Sequence, residues 1–162
     1  MANDEKTNVM RLLTAAKILF LEHSYDPGIT DGERVAEAVG TDPDKTFKTL
    51  VTQGDPGKYY VFVIPVNREL DLKRAARAVG VKSVSMLPQK MLLPLTGYIH
   101  GGCSPIGMKK KFPTVFDETA MLSETLTLSA GKVGRQITVS PNQLLEYLGA
   151  TTAVLSREKH QS

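Results

Sequence analysis

Residues 46–66 read TFKTLVTQGDPGKYYVFVIPV. Two runs rich in β-branched and aromatic residues flank GDPGK, whose proline and glycines favour a turn, so the segment predicts a hairpin of two strands. The second run is apolar without a break from Tyr59 to Ile64. A strand with no polar side has to be covered on both faces.

The rest of the chain supplies the cover. Val9, Leu12, Leu13, Ala16 and Phe20 form a helical stripe from Asn8 to Phe20. FLEHSY then reads as a strand and DPGIT as a turn or loop. Asp31 caps a helix with Val35 and Val39 on its buried side and Gly40 as its stop. Asp71 caps another, with Leu72, Ala75, Ala76 and Val79 on one side, Lys73, Arg74 and Arg77 on the other, and Gly80 as its stop. SVSML is a short strand, and PQKMLL a short helix halted at Pro94. Beyond a glycine-rich loop come TVFDE, a hairpin in TLTLSAGKVGRQITVS, a helix from Asn142 to Leu148 and a final strand in TAVLS. SREKHQS is expected to be a frayed tail. Helices interrupt strands irregularly and at least one hairpin is antiparallel. The expected class is therefore α/β (α+β), a mixed, barrel-like sheet core surrounded by helices.

Length and composition set the remaining bounds. The 162 residues suit one domain, 1–162, and 41% hydrophobic with 23% charged residues is an ordinary globular balance. One cysteine excludes an internal disulfide and fits a reducing compartment. MANDEKTNVM is polar and acidic where a secretion signal is basic and then apolar, and no apolar run approaches the ~20 residues that span a bilayer. A cytoplasmic protein without a membrane partner is expected. A net charge of +3 and a pI of about 9.0 are compatible with a polyanionic partner, but five Phe, five Tyr and no Trp confine any nucleic-acid contact to one end or face.

The loop TGYIHGGCSPIGMKKKFP holds the lone thiol, Cys103. Its glycines fit neither a dinucleotide fingerprint nor a nucleotide-hydrolase phosphate loop. They do free backbone N–H groups, which a stiff turn can present to an oxyanion, carbonyl or phosphate; a plain tight turn is the other reading. A nucleophilic Cys103 needs a neighbouring base. His100 is three residues away, and in an extended segment an odd separation sends the two side chains to opposite faces. His23 falls in a strand and His160 in the tail, no carboxylate partner stands out, and a zinc site lacks a second cysteine. An inert thiol is the better reading. Lys48, set between Phe47 and Thr49-Leu50-Val51, is either an edge-strand lysine or a cation at the rim of a cleft, able to hold a phosphate or carbonyl oxygen. MKKKF is either a solvated run or a steering patch beside the loop, to which Lys132 and Arg135 would add.

FKTL in an early strand, TGYIHGGCSPIGMKKK in mid-chain and SAGKVGRQI near the end, in that order, resemble the YbaK family of freestanding aminoacyl-tRNA deacylases. These are relatives of the editing domain inserted in bacterial prolyl-tRNA synthetases, and the likeness runs from about Thr7 to Leu155. The resemblance implies hydrolysis of the ester joining cysteine to the 3′ end of tRNA(Pro), with Cys-tRNA(Cys) as a second substrate and no cofactor or metal. It places the family lysine at Lys48, followed by Thr49, and the glycine cradle at Gly101 and Gly102, continuing through Cys103, Ser104, Pro105 and Gly107. Tyr25 matches a pocket tyrosine, and Ser129 and Gly131 a loop of small residues; nothing carries over between Asp26 and Glu33. In this family the substrate's own thiol is thought to attack its ester, so Cys103 contributes backbone and not sulfur. The implied partners are the aminoacylated tRNA 3′ end and prolyl-tRNA synthetase in a transient complex, with a monomer as the default state. A non-catalytic tRNA- or nucleotide-binding module and a Cys103-dependent thiol enzyme remain the alternatives.

Overall fold

A computed structural model describes residues 5–159. Among these residues five α-helices and ten strands alternate irregularly. The predicted hairpin is present: β2 (Phe47–Gln53) and β3 (Tyr59–Pro65) run antiparallel, with Lys48 opposite Ile64 and Thr49 opposite Val63. They lie in a five-stranded sheet with β5 (Ser85–Met86), β6 (Thr114–Asp117) and β9 (Thr151–Ala153), in the order β5-β2-β3-β6-β9. β2 is antiparallel to β5 and β3, whereas β3–β6 and β6–β9 are parallel, so the sheet is mixed as expected. β1 (Phe20–Ser24), β8 (Arg135–Val139) and β7 (Leu126–Lys132) form an antiparallel three-stranded sheet. One bridge, Thr46 to Thr127, links it to the larger sheet. The ladders thus record separate sheets joined at a point, not one closed barrel.

Period-two alternation in β3 explains why both of its faces are covered. Val61 and Val63 belong to a core shared with Phe47 and Val51 of β2, Leu126, Leu128, Ile137 and Val139 of the smaller sheet, and helix α1 (Asn8–Ala15). Phe62 and Ile64 point the other way, into a cluster closed by Ala75 and Ala76 of helix α3 (Leu72–Val79) and by Leu155. Helix α2 (Gly32–Val39) is capped by Asp31 and ends at Gly40, and α3 is capped by Asp71 and ends at Gly80, both as predicted. In α2, however, Val35 and Ala36 are the buried residues.

Four expectations are corrected. The N-terminal helix stops at Ala15, well before Phe20, because Lys17 takes a left-handed φ of 61°. Ile18 N–H then donates to Leu13 and Lys17 N–H to Thr14, the paired bonds of a Schellman stop, with Ile18 buried over the helix end. Pro94 does not halt a helix. It is the third residue of α4 (Leu92–Thr96), in the first turn, where an N–H has no helical acceptor to lose. The expected strand SVSML shrinks to Ser85–Met86, the two residues that pair with Gln53 and Thr52. Finally, Ser156–Glu158 is not frayed: it forms β10, antiparallel to β4 (Arg68–Leu70). Buried Asp117 holds this end in place, its Oδ1 accepting from the N–H groups of Leu155 (3.0 Å) and Ser156 (2.9 Å). His160 lies outside the described residues.

Candidate active site

The glycine loop follows α4 and is folded by a short turn. Gly102 N–H donates to Ile99 O (3.0 Å), and Gly101 has φ 88°, the left-handed value that the third residue of a type II turn requires. Gly102 serves a different purpose. A Cβ there would stand 2.9 Å from Val133 N, so only glycine lets the loop lie against the turn between β7 and β8. Tyr98 braces the loop from within by donating its hydroxyl to Ile106 O.

Between loop, hairpin and β2 is a cavity of about 390 Å³. Six of the residues singled out from sequence line it: Tyr25, Lys48, Thr49, Gly101, Cys103 and Ser129. Five others do not. Gly102 packs behind the turn, buried Ser104 spends its hydroxyl accepting from Ile106 N–H (3.2 Å), and Pro105 and Gly107 face a second cavity. Gly131, at φ 93°, packs against Val9 and Tyr98 within the irregular part of the β7–β8 ladder. The sequence reading missed Ile29 to Gly32, Val133 and Gln136, and weighed His100 only as a base for Cys103; all of them line the cavity. Asp31 was legible only as a helix cap, and nothing in the string signals that the segment before α2 doubles as a wall.

Lys48 is half-buried and, among the described residues, makes no ion pair or side-chain hydrogen bond. β2 pairs with β5 only at Thr52 and Gln53, and Thr46 just before it bridges to β7, so along that edge Lys48 lies in the unpaired stretch between them. Desolvation pushes its ammonium below the usual lysine range, and the charge of Lys159 adds to this, while Glu33, Asp31 and Glu69 pull the other way. A half-desolvated cation with these carboxylates near it but none in direct contact is placed to take an anion. Two buried oxygens nearby also lack partners, Thr49 Oγ1 and Gln136 Oε1. The N–H groups of Gly101 and Cys103 have no acceptor among the described residues, whereas that of Gly102 is spent on the turn.

The turn also overturns the expectation that His100 and Cys103 face apart. The segment is bent, and both residues line the cavity. No hydrogen bond joins them, and burial pushes the Cys103 thiol up to about 12. Such a thiol is inert at neutral pH. Among the described residues no group of three His, Cys, Asp or Glu side chains is placed to hold a metal, and no helix is long and apolar enough to cross a membrane.

The model of the aminoacyl-tRNA editing domain matches residues 26–147 of this chain, which include every lining residue of the cavity but Tyr25. The chain belongs to the aminoacyl-tRNA editing-domain family. Among editing-domain relatives, EbsC of Enterococcus faecalis, named as a candidate Cys-tRNA(Pro)/Cys-tRNA(Cys) deacylase, is 43% identical over 157 residues, 96% of each chain. The proline–tRNA ligase of Shouchella clausii is 27% identical over 124 residues, which are 76% of this chain and 22% of that enzyme. A solved structure described as a candidate trans-editing enzyme for prolyl-tRNA synthetase superposes with a TM-score of 0.80 at 24% identity, over 94% of this chain and 99% of that one. That likeness is one of fold, and the fold is the one the sequence motifs implied.

Proposed function

We propose that this chain is a freestanding editing unit, with its core over about 7–155, that cleaves the ester between cysteine and the 3′ end of tRNA(Pro), and of tRNA(Cys) as a second substrate. The observation that carries the reading is that one cavity is lined by Lys48, which has no ion-pair partner among the described residues, and by Gly101 and Cys103 with unpaired amides, beside no activated protein nucleophile.

Each group then has a task. Lys48 holds an anionic oxygen of the terminal nucleotide as a point charge. Tyr25, the Ile29–Gly32 segment, Thr49 and Gln136 wall the cavity around the aminoacyl end. The substrate's sulfur attacks its own ester carbonyl carbon. A C–S bond forms, the bond from carbon to the 3′ oxygen breaks, and the thiol proton goes to the departing oxygen. The product is a thiolactone, which water opens later. Holding sulfur and carbonyl together supplies several kcal/mol, within the ~7–11 kcal/mol available to well-oriented intramolecular reactions. The amides of Gly101 and Cys103 steady the negative charge that develops on the carbonyl oxygen. Prolyl-tRNA synthetase, in a transient complex with a monomer of this chain, presents the tRNA.

Incubation with Cys-tRNA(Pro) tests the reading through release of cysteine or its thiolactone. Ser-tRNA(Pro), which lacks the thiol, should survive. Binding of tRNA without release of cysteine would overturn the proposal in favour of a non-catalytic module.

A further inference from the structure

The glycine loop serves two cavities. Two residues beyond Cys103, Pro105 and Gly107 begin the wall of a second one, of about 280 Å³, which continues through Lys110, Lys111 and Phe112 to Tyr147 of helix α5 (Pro141–Leu148). Adjacent Cα atoms are about 3.8 Å apart, so Cys103 and Pro105 lie within about 7.6 Å of each other.

The three lysines of MKKKF are not equivalent. Lys109 turns back, donating to Pro94 O (3.4 Å) with its stem over Gly97. Lys110 and Lys111 are exposed, line the cavity and make no ion pair or hydrogen bond among the described residues. Lys111 Nζ reaches beside Gly149, at the C-terminal end of α5, where a positive charge is favourable. The aromatic rings complete the site. Phe112 is held edge-to-face by Tyr59, with centroids 5.7 Å apart. Tyr147 is 40% exposed, although Leu144 and Leu145 anchor its helix in the core. Cations that track phosphates beside aromatic faces that take bases are the composition of a single-strand nucleic-acid site.

We infer that this second cavity binds the single-stranded RNA immediately 5′ of the terminal nucleoside, one base stacking on Tyr147 and its phosphodiester meeting Lys110 and Lys111. The RNA's identity as a charged tRNA rests on the proposed function; the binding site itself does not. A short acidic protein segment is the competing occupant, but it would leave the aromatic faces without a use.

Two measurements separate the inference from that reading. The first is affinity for an uncharged RNA hairpin with a single-stranded 3′ end, titrated against salt. The second is cleavage of 3′-cysteinyl adenosine, which is too small to reach the second cavity. Lys110→Gln/Lys111→Gln should lower the slope of log affinity against log salt by about 0.7, the value for the one single-strand phosphate that the two lysines share. Tyr147→Ala should weaken RNA binding about tenfold. Both variants should cleave the minimal ester as the wild type does. Unchanged RNA affinity and salt slope would overturn the inference, as would an acidic peptide that competes with the RNA at equal affinity. A wild type that binds RNA but leaves the minimal ester intact would support the inference and reject the proposed activity.

Discussion

Replacing Cys103 by alanine separates a mechanism driven by the substrate's sulfur from one driven by the protein's. With the thiol pushed up to about 12, only about one molecule in 10⁵ carries a thiolate at pH 7, roughly a thousandfold fewer than for a thiol at the ordinary value of about 9. No hydrogen bond from His100 offsets that, and Cys103 is 9% exposed. A protein nucleophile so rarely ionised would have to be uncovered before each turnover. Cys103→Ala removes one sulfur from the core and should cost about 1 kcal/mol of stability, an amount that leaves a globular domain folded. Release of cysteine from Cys-tRNA(Pro), followed under single-turnover conditions, should stay within about threefold of the wild type. Iodoacetamide should alkylate the native protein slowly and leave its rate intact. A thousandfold loss in a folded variant would refute the reasoning, because it would show that the buried sulfur does the chemistry.

Lys48→Met should cut deacylation at least a hundredfold yet raise the melting temperature, since desolvation of the half-buried cation outweighs the nearby carboxylates and disfavours the folded state; calorimetry beside the deacylation assay checks both. If Lys48 acts as a cation, as proposed, its lowered pKa should make activity fall as pH rises through a value below the usual lysine range, and Lys48→Arg should flatten that limb of the profile. Gly102→Ala puts a Cβ 2.9 Å from Val133 N, a backbone atom that cannot yield, so it should cost about 1–3 kcal/mol in denaturant titrations and weaken activity by displacing the loop. Burial pushes the Asp117 carboxyl up, but hydrogen bonds from the Thr119 hydroxyl and the N–H groups of Leu155, Ser156 and Thr119 outweigh it and hold the pKa below the usual value. Its stabilisation is therefore present above the unfolded pKa of about 4 and lost as pH falls through the folded one. Asp117→Ala should remove that acid-side dependence and cost on the order of 3 kcal/mol by stranding buried N–H groups, as thermal melts across pH would show.

What could be read from the string follows from where its signals were local. The β2–β3 hairpin carried composition, alternation and a turn within 20 residues. α2 and α3 each carried an aspartate cap and a glycine stop. The end of α1 was illegible because its stop uses a lysine in a left-handed conformation and a buried Ile18 in place of a glycine. β10 looked like a tail because SRE is polar and short; its order comes from Asp117, almost 40 residues earlier. The site shows the same division. Lys48 and the glycine loop announce themselves by residue type, and the family motif adds Tyr25 and Ser129. Whether His100 and Cys103 share a side depended on a turn at Gly101, and the Ile29–Gly32 wall on how α2 is approached. Neither is a property of a short window.

The cavity's walls come from residues 25–50, 66, 92–103 and 129–136, and its glycine turn rests directly on the β7–β8 turn. A chain emerging from the ribosome therefore has no complete site until residue 136 has been made. Closing such distant segments on one another is a late and cooperative event. Catalytic competence should thus be acquired in a single step once residue 136 has joined the fold, and a product truncated before it would be blank rather than partly active.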